Sequence, residues 1–126
     1  MKSVENVLEE IILDQFIKDA QIQSVSIVSK TGLMVAGKSA PGSRTETFSA
    51  MAAIIFSSAE STRTDLQKDK VDNIIVVFKT SKMLISEVSS SLLIVVTADR
   101  EVDNQKVLDD MQNVITRTKE ELIWLR

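Results

Sequence analysis

Along the first helix-forming stretch, Val4, Val7, Leu8, Ile11 and Ile12 recur at intervals of three and four, the spacing of a single helical stripe. This predicts a helix over 3–19 with Ser3 as its N-cap. Leu13 and Ile17 fall on the opposite side, one turn apart, so the helix is expected to touch two surfaces. Residues 24–29 and 33–37 then read as two short strands. Lys30-Thr31-Gly32 joins them, with glycine supplying the positive φ of a tight hairpin turn. The loop 38–43 follows, and Ser43-Arg44-Thr45-Glu46 matches a capping box at the start of a second helix.

That second helix, over 45–69, carries two apolar stripes. Phe48, Met51, Ala52, Ile55, Ala59 and Leu66 form one, read as the sheet-facing side. Ala50, Ala53, Ile54, Ser57 and Ser61 form the other, a small and weakly polar face that lets another helix backbone approach closely. In so small a domain the remaining helices are needed elsewhere, so the partner for this face is expected from a second copy of the chain.

Residues 72–79, 82–88 and 91–97 supply three more strands with connections short enough for an antiparallel meander. Ile74 to Phe78 and Leu92 to Val96 are unbroken apolar runs, which predicts that both faces of those two strands are covered. A last helix over 102–125 shows the stripe Val107, Leu108, Met111, Val114, Ile115, Thr118 and Leu122. The order helix, two strands, helix, three strands, helix predicts an α+β fold. Its five-stranded antiparallel sheet carries one helix on one face and two on the other.

Composition narrows the function. A chain of 126 residues with 44% apolar residues, three glycines and one proline suits a single domain over 1–126 with no disordered segment. The formal charge of -3, with Lys and Arg scattered among Asp and Glu, gives no footprint for nucleic acid. No apolar run approaches the roughly 20 residues of a membrane span, and no secretory leader is visible. A cytoplasmic protein is therefore expected. Cysteine, histidine and tyrosine are absent, which removes thiolate nucleophiles, imidazole bases and the usual transition-metal ligands. The expectation is a non-enzyme without cofactor or metal.

One motif argues otherwise. Gly32-Leu33-Met34-Val35-Ala36-Gly37-Lys38-Ser39 satisfies the G-x-x-x-x-G-K-[ST] pattern of a phosphate-binding loop, which would make the chain a nucleotide hydrolase. Such a loop must run directly into a helix, and here Ala40-Pro41-Gly42 intervenes. The match is read as coincidence, and Asp99 as a loop residue or helix cap instead of a metal-positioning aspartate. Glu9 with Glu10, and Glu120 with Glu121, are adjacent on helices and point about 100 degrees apart, so they cannot form a catalytic dyad. Arg44 and Arg63 are read as surface arginines without a role in phosphoryl transfer. Trp124, off the last helix's stripe with Ile123, is expected to pack inward near Leu13 and Ile17, the alternative being a contact to a partner.

The segment Val25-Ser26-Ile27-Val28-Ser29-Lys30-Thr31-Gly32-Leu33-Met34-Val35-Ala36 resembles the Roadblock family's first strand, glycine turn and second strand. Residues 73–78 and 92–97 are similar to its third and fifth strands. This family includes dynein light chains, adaptor subunits and the bacterial MglB type that stimulates a Ras-like GTPase. The resemblance implies a homodimer formed by pairing second strands and setting middle helices side by side. On these residues the interface comprises Leu33, Met34, Val35, Ala36, Gly37, Ala50, Ala53, Ile54, Ser57 and Ser61, with Ser58, Glu60 and Thr64 meeting the partner GTPase. It implies a regulator that positions the GTPase's own catalytic groups and donates none. A structural adaptor with no effect on nucleotide turnover is the alternative.

Overall fold

The computed structural model describes residues 2–16, 19–66 and 70–122, leaving out the side chains of 64–66. Its elements are α1 (Val4–Phe16), β1 (Ile22–Ser29), β2 (Met34–Gly37), α2 (Thr45–Leu66), β3 (Asn73–Val77), β4 (Ser81–Glu87), β5 (Leu92–Asp99) and α3 (Asn104–Glu121). All strand pairs are antiparallel, in the order β2-β1-β5-β4-β3. The predicted element order holds, and the β1-β2 hairpin and the β3-β4-β5 meander form as the short connections require.

β5 lies in the middle, and Leu92 to Ala98 are all buried. Alternate residues serve opposite cores, as a pleated strand with both faces covered must. Leu92, Ile94, Val96 and Ala98 join the core under α1 and α3, which includes Leu8, Ile11, Val107, Met111 and Val114. Leu93 and Val95 join the core under α2, with Val28, Ala52, Phe56, Met83 and Ile85. The sheet thus carries two helices on one face and one on the other.

β3 departs from its reading as a strand enclosed like β5. It is an edge strand whose residues are only partly buried, with Val77 55% and the following Phe78 49% exposed. An apolar run shows that the faces of a strand are covered but carries no sign of whether a neighbour lies alongside, and here one side is open.

Helix starts also refine the picture. Ser3 caps α1, its Oγ accepting from the Asn6 amide at 3.2 Å. Asp103 caps α3, accepting from the Gln105 amide at 3.2 Å, so this helix begins two residues later than expected. The capping box at 43–46 does not form. Ser43 Oγ donates to the Ala40 carbonyl at 2.6 Å, and the Phe48 amide donates to the Arg44 carbonyl at 2.9 Å, which places the cap at Arg44. The proline-glycine turn before the helix draws Ser43 back into the loop. Leu122 is buried with the α3 stripe, whereas Ile17, Ile123 and Trp124 lie outside the described residues.

Lys82 is a buried cation beneath the two-helix face, 3% exposed. Its ammonium donates to the Val102 carbonyl and to Asn104 Oδ1, tying β4 to the start of α3.

Candidate functional site

Two features converge at one end of the sheet: the outer edge of β2 and the outward side of α2. The hairpin tip that joins them is fixed by backbone geometry. Gly32 adopts φ +98 and donates its amide to the Ser29 carbonyl at 2.9 Å, while Ser29 donates to the Leu33 carbonyl at 2.8 Å. Leu33, placed by sequence in the strand, belongs to this turn and is 69% exposed. A methyl group added to Gly32 would lie 3.2 Å from Ala50 Cα, so the tip rests directly on α2.

Two further contacts hold the tip. The Lys30 ammonium sits 5.2 Å from the centre of the Phe56 ring and pairs with the carboxylate of Glu87 on β4. Phe56 itself is 2% exposed and anchors α2 to the sheet.

In β2, Met34 packs toward the α2 core, and Val35 and Ala36 both belong to the α1/α3 side. Two neighbours on one face are possible because the β1-β2 register shifts between Ile27 and Val28, a bulge in the strand. Gly37 ends the strand at φ +86, where a Cβ would fall 2.2 Å from the Val25 carbonyl oxygen. Only glycine fits there, which gives the last glycine of the phosphate-loop pattern a purely steric reason. Lys38 donates its amide to the Val25 carbonyl at 3.0 Å, and α2 starts only at Thr45. No helix N-terminus follows Lys38-Ser39, so the geometry of a phosphate-binding loop is missing.

Among the described residues β2 has no strand on its outer side. One group on that side is engaged from within: the Gly37 amide donates to Glu9 Oε1 of α1 at 3.2 Å. Glu9 and its neighbour Glu10, which bridges Lys2 at 2.8 Å, thus have separate structural partners.

The α2 faces are rotated from the sequence reading. Ser49, Ala52, Ala53 and Phe56 are the buried positions, and Met51, assigned to the sheet side, is 48% exposed. Phe56 and Ser49 belong to neither predicted stripe; Ser49 is tolerated inside because its hydroxyl donates to the Thr45 carbonyl at 2.8 Å. A helix with apolar residues all round gives two nearly equal stripes, and the bulkiest side chain, Phe56, fixes the rotation. Its position one turn beyond Ala52 was the available clue.

Of the small face, Ala50 is taken up by the hairpin tip and Ala53 is buried. Ile54 is 53% exposed, and Ser57, Ser58 and Ser61 are exposed with it. Together with Lys30 and Thr31 the residues Ala50, Ala53, Ile54, Ser57 and Ser58 line a shallow cleft of about 310 Å³, so the alanines form a floor and Ile54 a crest. Glu60 is half-buried and lies 3.9 Å from Arg63, and the Thr64 side chain is outside the described residues.

No cluster of His, Cys, Asp or Glu suited to a metal ion occurs among the described residues. Among them no helix is long and apolar enough to cross a membrane. Asp99 accepts from the Gln23 side-chain amide at 3.1 Å at the end of β5 and caps no helix.

A family model described as the Roadblock/LC7 domain matches residues 8–98. The fold is similar to Myxococcus xanthus MglB, with a TM-score of 0.85 at 13% identity, covering 100% of this chain and 95% of that one. It is similar to a Roadblock/LC7 domain from Streptomyces avermitilis, with a TM-score of 0.82 at 16% identity, covering 91% and 97% of the two chains. Acanthamoeba castellanii profilin Ia shares the fold more distantly, with a TM-score of 0.60 at 10% identity over 90% and 97%. No curated protein matches the sequence.

Proposed function

The chain belongs to the Roadblock/LC7 family, and from that premise we propose that it works as a cytoplasmic homodimer that binds a small Ras-like GTPase and regulates it without donating catalytic groups. The observation that carries this reading is the pairing of an unpartnered β2 edge with an α2 crest that leaves Ile54 and Met51 about half exposed on the same side. Pairing of β2 with its twin would continue the sheet and cover the edge. Ile54, Ser57 and Ser61 would then meet their counterparts across the dimer axis, while Ser58, Glu60 and Thr64 would face the GTPase.

A regulator of this kind acts by binding one switch conformation more tightly than the other, which requires shape and rigidity, not titratable groups. The hairpin tip locked onto α2 by Gly32, Lys30 and Phe56 supplies that rigidity. The MglB resemblance supports the choice of partner.

The test is GTP hydrolysis by a Ras-like GTPase encoded beside this gene, measured with and without the protein. Acceleration that Ile54→Arg abolishes is the expected result, with Ile54→Arg also shifting the dimer toward monomer in sedimentation. Binding without any change in hydrolysis would make the chain a structural adaptor. A protein that stays monomeric at high concentration would overturn the reading.

A further inference from the structure

We propose that the outer edge of β3, with the groove beside it, receives an extended apolar segment of a partner protein flanked by carboxylates. Among the described residues β3 is hydrogen-bonded to β4 alone, and it ends the sheet on the side opposite β2. The Phe78 amide donates to the Ser81 carbonyl at 2.8 Å, so Phe78 turns its backbone toward β4. Alternation along the strand then points the N–H and C=O groups of Val77 and Ile75 outward. Among the described residues nothing meets them there. An added strand would satisfy these groups, and pockets beside the edge would select its side chains.

Such a pocket exists. Phe78, 49% exposed, forms one wall of a groove of about 430 Å³ whose other apolar walls are Phe48, Met51, Ile55 and Met83. No aspartate or glutamate lines this groove, whereas Arg44 does. Lys79 follows Phe78, and Arg100 donates to the Lys79 carbonyl at 3.3 Å; with Arg44 these cations outnumber the exposed Asp99 and Glu101 beside Arg100, so the rim is positive on balance. Apolar walls with a cationic rim complement a segment that carries an apolar residue beside carboxylates. A second copy paired through β3 is the competing occupant, and it is one of the outcomes that the test below separates.

This inference does not rest on the β2 edge or on the GTPase reading, and Met51 is the one side chain common to both surfaces. The probe is the peptide acetyl-Asp-Val-Val-Ile-Phe-Asp-amide, titrated into the full chain with backbone amide shifts recorded by NMR. The expected result is saturable binding with a Kd below about 1 mM, shifts centred on Ile75, Val77 and Phe78, and affinity at least about tenfold weaker for the same peptide with lysines in place of aspartates. Val77→Pro removes an outward amide without touching the β4 ladder and should abolish binding. Phe78→Ser, which keeps the backbone intact, should weaken it at least about tenfold. Unchanged melting and sedimentation in both variants would show that fold and dimer are preserved. Equal binding by wild type and both variants, no saturation up to millimolar peptide, or a β3-dependent self-association that Val77→Pro removes would each overturn the proposal.

Discussion

On the side of the sheet covered by α1 and α3, the stripe Val107, Met111, Val114, Ile115, Thr118 and Leu122 is buried throughout, and Leu8, Ile11 and Ile12 close over it from α1. On the other side one helix must cover the same five strands. Phe56 and Ala52 are buried there, yet Met51, Ile54 and Phe78 keep about half their surface in solvent. Two helices bury their stripes against the sheet, although Leu13 on the outside of α1 and Val77 at the β3 edge stay about half exposed, whereas the single helix also leaves apolar side chains uncovered around its own axis. The difference separates a face that stabilises the monomer from a face that has apolar area left for binding.

The sharpest way to break this comparison is to damage both faces equally. Met111→Ala, under α3, should cost about 2–5 kcal/mol in denaturant unfolding, because a 1% exposed side chain leaves a cavity. Ile54→Ser, on α2, should change monomer stability by less than about 0.5 kcal/mol while weakening association in sedimentation. Similar unfolding costs for the two would mean that the α2 side is as closed as the other.

Gly37→Ala probes the junction of the two regions. The positive φ and the close Val25 carbonyl predict a loss of about 1–3 kcal/mol, with amide exchange accelerated in β2 before β5. Lys82→Met tests whether the sealed face depends on a buried cation. Removing the donor to the Val102 carbonyl and Asn104 should cost about 1–3 kcal/mol and fray the first turn of α3, seen in its amide exchange.

The smallest effect concerns pH. Asp19 is held below the ordinary carboxylate value, first by the Lys106 ammonium at 2.7 Å and then by the Gln21 amide. This stabilisation is present above about pH 3.8 and is lost as the pH falls through the lower folded value. Lys106, raised by the same hydrogen bond, stabilises below pH 10.5 and loses its contribution as the pH rises past the higher folded value. Asp19→Asn should therefore differ from wild type in melting temperature at pH 7 and converge with it in strong acid.

Where the sequence was read correctly, one period dominated. The α3 stripe, the α1 stripe and the doubly covered β5 are each set by many residues that agree, so a single residue cannot shift the assignment. In α2, apolar residues surround the axis, and the helix rotation was read one step away, with Met51 inside and Phe56 unassigned. In β3, the apolar run was legible but its place at the edge was not. The family resemblance implies β2 and α2 as the interaction surface, but the contact between Gly32 and Ala50 that occupies part of the small face is set by the fold.

Local pattern alone determined the number, type and order of elements, the turn at Gly32 and the lack of nucleophiles and bases, because these depend on residue spacing and on which side chains exist at all. Tertiary structure decided which of two equal α2 stripes meets the sheet, which strands lie at its edges, and that Glu9 reaches Gly37. Those choices depend on contacts between segments far apart in the chain, where packing volume and free backbone groups, not periodicity, select the outcome.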